Sequence, residues 1–145
     1  MRVLVQRCEN ASVTANGKLT GTCQNGLMLL VGFTKSDTEE HIAYMTRKVL
    51  NLRIFPDDNG VMNKSVLDVN GTILLVSQFT LYAETKNGNR PSYIKALNGE
   101  EAIKLYDKFK EELSKQIHVE TGVFGADMKI SFTNVGPTTI WLEKE

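Results

Sequence analysis

Apolar residues along the chain alternate, run together or recur every three to four positions, and each habit marks a different element. RVLVQRC and ASVTA near the start, and KLTGTCQ beyond Asn16-Gly17, are short strand-like runs. GLMLLVGF and TILLVSQFTL are apolar almost without interruption and predict more fully buried, central strands. DMKISFTN alternates Met128, Ile130 and Phe132 with Lys129, Ser131 and Thr133, so one face of that strand is wet, and TTIWLE closes the chain as a final strand. Two segments carry a helical period instead. In SDTEEHIAYMTRKVLNL the apolar positions Ile42, Met45, Val49 and Leu52 fall on one face, and Ser36 with Glu39 forms a capping box. In NGEEAIKLYDKFKEELSKQI the stripe is Ala102, Tyr106, Phe109, Leu113 and Ile117, with Asn98 and Glu101 as the box.

Asn-Gly recurs at 16–17, 25–26, 59–60, 70–71, 87–88 and 98–99. The pair suits the positive φ angles of tight hairpin turns. Two helices with one apolar face each must lie on a sheet, which predicts an α+β fold: mostly antiparallel strands in a curled sheet or open barrel, with both helices packed on one side. No repeat, low-complexity tract or Pro/Ser-rich linker divides residues 1–145, so a single domain is expected.

Composition narrows the function classes. The chain has 17 Lys and Arg against 17 Asp and Glu. Any contact with nucleic acid must therefore come from a local patch, because the net field exerts no pull on phosphate. The start of the sequence has no signal-peptide character, and no run approaches the ~18 apolar residues of a membrane span. A cytoplasmic protein without membrane attachment is expected. Cys8 and Cys23 form no CxxC; reduced buried thiols are the expectation, with one disulfide between neighbouring strands as the alternative.

The residue inventory excludes several chemistries. Of the two histidines, His41 is expected in solvent on the first helix and His118 just past the end of the second. Neither has a neighbouring motif that makes a nucleophile-activating base. No metal-ligand spacing and no phosphate-binding glycine motif occurs, so no metal and no cofactor is expected. FPDDNGVMN has half the look of a calcium loop but lacks the spacing and terminal glutamate, and is read as a turn with solvated acids. An enzyme built from this chain must work with hydroxyls, amides and backbone groups.

Two stretches depart from plain strand patterning. SQFTL, residues 77–81, sets Ser77, Gln78 and Thr80 around Phe79 at the end of a buried run. NVGPTT, residues 134–139, puts Gly136-Pro137 between two strand-like segments. Proline has no N–H for the ladder and glycine no side chain to pack, so the sheet breaks there. X-Pro is also the one peptide bond for which cis is cheap. A simple turn is the plainer reading of NVGPTT, a functional loop the other.

SQFTL, KNGNRPS at 86–92, TGVFGADM at 121–128 and NVGPTT, in that order, resemble the D-aminoacyl-tRNA deacylases. MRVLVQRCENASVTANGKLTG and LRIFPDDNGVMNKSVLDVNG are similar to the same family, so the likeness spans nearly the whole chain. SQFTL and the Gly-Pro loop are specific when they occur together. The resemblance implies a homodimer of compact α+β subunits that hydrolyses the ester joining a D-amino acid to the 3′-terminal adenosine of tRNA, with the site at the subunit interface. It implies that Ser77, Gln78, Phe79 and Thr80 line the reaction centre. It also implies that Gly136-Pro137 is cis and reaches into the partner's pocket. Val135 and Thr138 stand where the family often carries Asp and Val, a change of pocket polarity that leaves Gly136, Pro137 and Thr139 untouched.

An aminoacyl ester is already activated, so placing its carbonyl and stabilising the oxyanion matter more than a strong nucleophile. Backbone N–H groups near Phe79 and Thr80, with Ser77 and Gln78 orienting, would supply this. A ribose hydroxyl of the tRNA would assist proton transfer, and Thr80 is a positioning residue in this reading. Gly136-Pro137, with Thr138 and Thr139, would collide with an L side chain and leave a D side chain free, so glycyl-tRNA should pass as well. Phe124 is expected to stack on the terminal adenine, with a core role as the alternative. Ala102 and Met128 shape the same pocket, and Arg7 braces the Gly-Pro loop or lies on a wet strand face. Lys64, Lys86, Arg90 and Lys95 are read as a basic rim for tRNA, Arg90 foremost, against ordinary solvated lysines. A non-catalytic RNA- or protein-binding dimer module, latched by the Gly-Pro loop, is the competing reading. An enzyme acting on a different mischarged aminoacyl-tRNA is a third.

Overall fold

The computed structural model describes all 145 residues. Five strands form one sheet in the order β6-β5-β2-β1-β7, where β1 is Arg2–Ala15, β2 Lys18–Gly32, β5 Thr72–Ser77, β6 Val119–Thr121 and β7 Met128–Glu143. A small hairpin of β3 (Phe55–Pro56) and β4 (Met62–Lys64) stands apart. Helices α1 (Glu39–Asn51) and α2 (Gly99–Ser114) complete an α+β fold. The sheet is mixed: β1 pairs antiparallel with β2 and β7, whereas β5 pairs parallel with both β2 and β6. The parallel pairings refine the expected antiparallel order. Each follows from a crossover through a helix, α1 between β2 and β5 and α2 between β5 and β6. β6 and β7 are edges that do not pair, so the sheet does not close.

Several expected breaks are absent. The segments on either side of Asn25-Gly26 join into one strand, as do RVLVQRC with ASVTA and DMKISFTN with TTIWLE. Asn10 takes φ 51° as a bulge inside β1. Only Asn16-Gly17, at φ 51° and 79°, makes the tight hairpin turn that the dipeptide favours. Asn98-Gly99 instead opens α2: the Asn98 side chain accepts from the Glu101 N–H at 3.0 Å, which is the expected cap. The Glu101 carboxylate accepts from the Asn98 side chain at 2.6 Å and not from its backbone N–H, so the box is only half formed. The α1 box differs from expectation. It is Thr38 with His41, whose Nδ1 accepts from the Thr38 N–H at 3.1 Å. His41 is therefore a largely covered capping residue, not a solvated one.

Both helices bury their stripes on one face of the sheet. Ile42, Met45, Val49 and Leu50 of α1 and Ala102, Tyr106, Phe109 and Leu113 of α2 pack with Val3, Val5, Leu27, Leu29, Val31, Ile73 and Leu75. On the opposite face Met28, Leu74 and Val76 form a second cluster with Cys8, Ala11, Val13 and Cys23, with Met128, Ile130 and Phe132 of β7 packed against it. The apolar runs of β2 and β5 are continuous because both of their faces are buried.

Two buried polar contacts stand out against this core. The Met1 ammonium donates to the Asp37 carboxylate at 2.6 Å, with both groups fully shielded from solvent, and to the Lys144 carbonyl at 2.9 Å. Asp37 also accepts the Thr34 N–H at 2.8 Å, tying the start of β1, the end of β7 and the β2–α1 connection together. Cys8 and Cys23 are free thiols with sulfurs 3.6 Å apart. The Cys8 thiol donates to Cys23 and holds the Cys23 thiol down to about 7, while the same contact and burial push Cys8 up. Burial should nonetheless govern reactivity. We expect native protein to react with Ellman's reagent over hours and unfolded protein to release both thiols within seconds; rapid labelling of the native chain would show that this layer opens.

The outer edge of the sheet is β7. Trp141, the only tryptophan in the chain, is half exposed there, 5.5 Å from the Arg2 guanidinium.

Candidate active site

A cavity of about 620 Å³ opens at the C-terminal ends of β2 and β5. The end of β5 shapes it. Ile73–Val76 are anchored in the core, and the Gln78 N–H still reaches the Val31 carbonyl at 2.7 Å, but the chain then turns into a 3₁₀ turn over Phe79–Tyr82. SQFTL is thus a strand end and a turn, not the continuous strand expected. The cause lies just beyond the motif. Tyr82 is buried with the Arg2 guanidinium 4.3 Å from its ring centroid, and Arg2 donates to the Leu81 carbonyl at 2.8 Å. Gly32 makes room for the bend, since a Cβ there would lie 2.8 Å from the Gln78 carbonyl oxygen.

Ser77, Gln78 and Phe79 line one wall of the cavity, and Ala102, Phe124 and Met128 line others. Thr80 lies next to that wall, where its hydroxyl accepts from Gln78 Nε2. Phe124 leans on Tyr106, with ring centroids 5.5 Å apart, so it is partly a core residue, as the alternative held. The more open ring is Phe79, 55% exposed and edge-to-face with Tyr93 at 4.9 Å. Tyr93 was not anticipated from the sequence; its one available signal was an aromatic residue in an otherwise polar loop. Tyr93 and Asp127 are the only ionisable side chains among the lining residues. No histidine, cysteine or lysine is within reach as a base.

The Gly-Pro loop lies elsewhere on the same chain. β1 pairs Gln6 with Thr139 and Cys8 with Asn134, so residues 135–138 bulge out opposite Arg7 alone. The Gly136-Pro137 peptide is cis and both residues are exposed. Arg7 lies beneath the loop, with Nε donating to the Val135 carbonyl at 3.2 Å and Nη1 to the Ile54 carbonyl at 2.7 Å. Thr139 Oγ1 donates to the Pro137 carbonyl at 3.2 Å and accepts from Asn134 Nδ2 at 3.0 Å, while Thr138 is buried. Gly136 has φ 117°, and a Cβ there would stand 2.6 Å from Thr138 Oγ1. None of Gly136, Pro137, Thr138, Thr139 and Arg7 lines the cavity of its own chain.

The expected basic rim is uneven. Lys95 is held by Glu84 at 2.9 Å, an ion pair that keeps the Glu84 carboxyl below its ordinary range. Arg90 and Lys86 are exposed on the 85–91 loop, and Lys64 lies on β4, remote from the cavity lining. His118 pairs with Glu120 at 2.8 Å. FPDDNGVMN is the expected turn: Asp58 is exposed, and Asp57, partly exposed, also accepts the Asn59 and Val61 N–H groups at 2.9 and 3.0 Å.

A half-open cavity walled by hydroxyl, amide and aromatic groups at the ends of parallel strands, with no histidine, cysteine or lysine in its lining, defines a small α+β protein suited to an already activated substrate. Sequence comparison gives that class a family. The profile of the D-Tyr-tRNA(Tyr) deacylase family matches residues 4–143. The chain is 51% identical over 146 residues to a D-aminoacyl-tRNA deacylase of Clostridium botulinum (strain Langeland), covering 100% of this chain and 98% of that protein. It is 52% identical over 145 residues to a D-aminoacyl-tRNA deacylase of Bacteroides fragilis (strain YCH46), covering 99% and 97%. Among solved structures it is similar to a c-Myc DNA unwinding element binding protein, with a TM-score of 0.94, 40% identity and 100% and 99% coverage. A probable eukaryotic D-amino acid tRNA deacylase shares the fold at a TM-score of 0.83, with 18% identity and 97% coverage of each chain. The chain belongs to the D-aminoacyl-tRNA deacylase family and is an enzyme of that hydrolase class. No helix is long and apolar enough to cross a membrane.

Proposed function

We propose that the protein hydrolyses the ester of D-aminoacyl-tRNA, releasing the free D-amino acid and tRNA, and that it admits glycyl-tRNA by the same route. The observation that carries this reading is the bend at Gln78. It turns Ser77, Gln78 and Phe79 towards a cavity that offers polar groups but no activated nucleophile. Water attacks the carbonyl carbon, the bond to the ribose oxygen breaks, and the proton lost by water reaches that oxygen, assisted by the neighbouring ribose hydroxyl. The first N–H groups of the turn, at Phe79 and Thr80, have no carbonyl one turn back inside it and are free to meet an oxyanion. The Gln78–Thr80 contact fixes both side chains beside them, consistent with Thr80 as a positioning residue.

The loop at Gly136-Pro137 supplies the chiral filter in this reading, with Arg7 and Thr139 holding its carbonyls in place. Because the loop stands outside its own cavity, the filter needs a second subunit whose loop enters this one's pocket. The open β7 edge and the exposed loop on it support such a homodimer. A cytoplasmic site of action follows from the substrate. Single-turnover hydrolysis of D-tyrosyl-, L-tyrosyl- and glycyl-tRNA tests the proposal: D and glycyl esters should decay rapidly and the L ester at the buffer rate. Gln78→Ala should slow D-ester hydrolysis about 100-fold while leaving binding in place. Equal decay of D and L esters at the buffer rate would overturn the reading.

A further inference from the structure

The far end of α1 carries charge that the cavity does not use. Tyr44, Arg47, Lys48, Asn51, Leu52 and Arg53 line a shallow concavity of about 400 Å³. Lys48 and Lys144 place their ammonium groups 5.6 and 5.3 Å from the Tyr44 ring centroid. Arg53 is oriented from the side by the Asn63 carbonyl, which accepts from its Nε at 3.1 Å, and by the Asn63 side chain. None of Arg47, Lys48, Arg53 or Lys144 has a carboxylate within 4.0 Å. Asp57 accepts N–H groups of its own turn, and Asp68 accepts the Ser65 N–H at 2.9 Å. The Ser65 bonds first, and the Lys64 and Arg53 charges after them, hold the Asp68 carboxyl below its ordinary range, but no ion pair forms. The contrast within the chain is sharp: Lys108 of α2 and Lys115 at its C-cap are both held by Glu112, and Lys95 by Glu84. One cation suffices to complement a helix C-terminus; three lining one hollow and a fourth, Lys144, over its Tyr44 wall, in a chain of zero net charge, exceed that need.

The hollow is joined to the chiral loop through a single side chain. Arg53 precedes Ile54, whose carbonyl accepts from Arg7, and the same guanidinium holds Val135 beside Gly136. If the loop enters a partner subunit's cavity, the hollow lies beside that cavity. The substrate there is the end of a single strand, and the duplex it leads into presents a row of phosphates. Phosphate contacts by Arg and Lys position a nucleic acid without reading its sequence.

We infer that the Arg47–Lys48–Arg53–Lys144 hollow docks the acceptor-arm phosphates of tRNA while its 3′ end occupies the partner's cavity. The inference rests on the deacylase reading and on the dimer. It is tested with the Arg47→Gln/Lys48→Gln double variant, assayed on D-tyrosyl-tRNA and on D-tyrosyl-adenosine across a salt series. On tRNA the variant should raise KM about 10-fold with kcat unchanged, and lower the dependence of log KM on log salt by about one to two. On D-tyrosyl-adenosine, which carries no acceptor arm, it should match the wild type. Lys104→Gln/Lys110→Gln, which removes two cations from α2, should leave both substrates unaffected. Unchanged KM on tRNA, or equal losses on both substrates, would overturn the assignment of the surface while the deacylase reading stands. Wild-type protein that leaves both esters intact overturns the deacylase reading, and the docking surface with it.

Discussion

Gly136→Ala should lower the ratio of D- to L-tyrosyl-tRNA hydrolysis at least about 100-fold. The added methyl group has nowhere to go: its position lies 2.6 Å from Thr138 Oγ1, 2.8 Å from the Thr138 nitrogen and 3.0 Å from Arg7 Nη2. Thr138 is buried, and Arg7 is committed to two carbonyls, so the loop itself must shift. The φ of 117° adds a backbone conformation that L-residues rarely adopt. The strain is of the order of 1–3 kcal/mol, small enough for the exposed loop to move while the fold persists. If the loop is the chiral filter proposed above, a shifted loop would no longer crowd the side of the α-carbon where an L side chain projects, nor press the D ester into place. Rates on the two esters, compared at an unchanged unfolding midpoint, decide the matter. Wild-type discrimination in this variant would show that chirality is read somewhere else.

Asp37→Asn should destabilise the protein by about 3–5 kcal/mol, with a fall in Tm on the order of 10 °C. The Met1 ammonium and Asp37 carboxylate are both removed from solvent, and the amide would leave the ammonium buried without a counter-charge. Removing one partner of such a pair costs far more than the pair contributes over an apolar replacement. The damage should also reach the cavity. Phe33 and Thr34 lie within four residues of Asp37; the Phe33 carbonyl, on the cavity wall, accepts from the Leu97 N–H at 2.9 Å, and Thr34 donates to the Lys95 carbonyl at 2.6 Å. Urea unfolding should show a lower midpoint with an unchanged slope; a loss below 1 kcal/mol would mean that water reaches the ammonium.

The helices were legible in the sequence because an amphipathic stripe is a local property, and Ile42, Met45, Val49, Ala102, Tyr106, Phe109 and Leu113 are all buried as expected. The α1 cap was misplaced by two residues, since Ser36 and Thr38 are equally good capping types and a histidine at the third helical position is an unusual box partner. Asn25-Gly26 misled for a different reason. It has turn chemistry, but β1 and β5 flank it with ladder partners, and tertiary pairing outweighs local preference. The parallel pairings of β5 were hidden because strand order is set by where each crossover helix lands. At the candidate site, SQFTL and the Gly-Pro break announced themselves. The bend after Ser77 did not, because its anchors, Tyr82, Arg2 and Gly32, are distant in sequence or outside the motif. Arg7 stood out as a polar residue in an apolar strand, but its position under residues 135–138 depends on a four-residue bulge in a strand more than a hundred residues away.

Trp141 gives the assembly question an optical handle. It is the only indole in the chain and lies on the open edge of β7, five residues from Gly136. Tyrosine emission aside, fluorescence excited at long wavelength comes from that one ring. If a second subunit covers the edge, dilution should move the emission maximum to the red and let acrylamide quench it, tracing the association constant without any attached dye. Trp141 does not line the cavity, so a small substrate analogue that fills it should move this signal far less than dilution does, separating assembly from occupancy in a single cuvette.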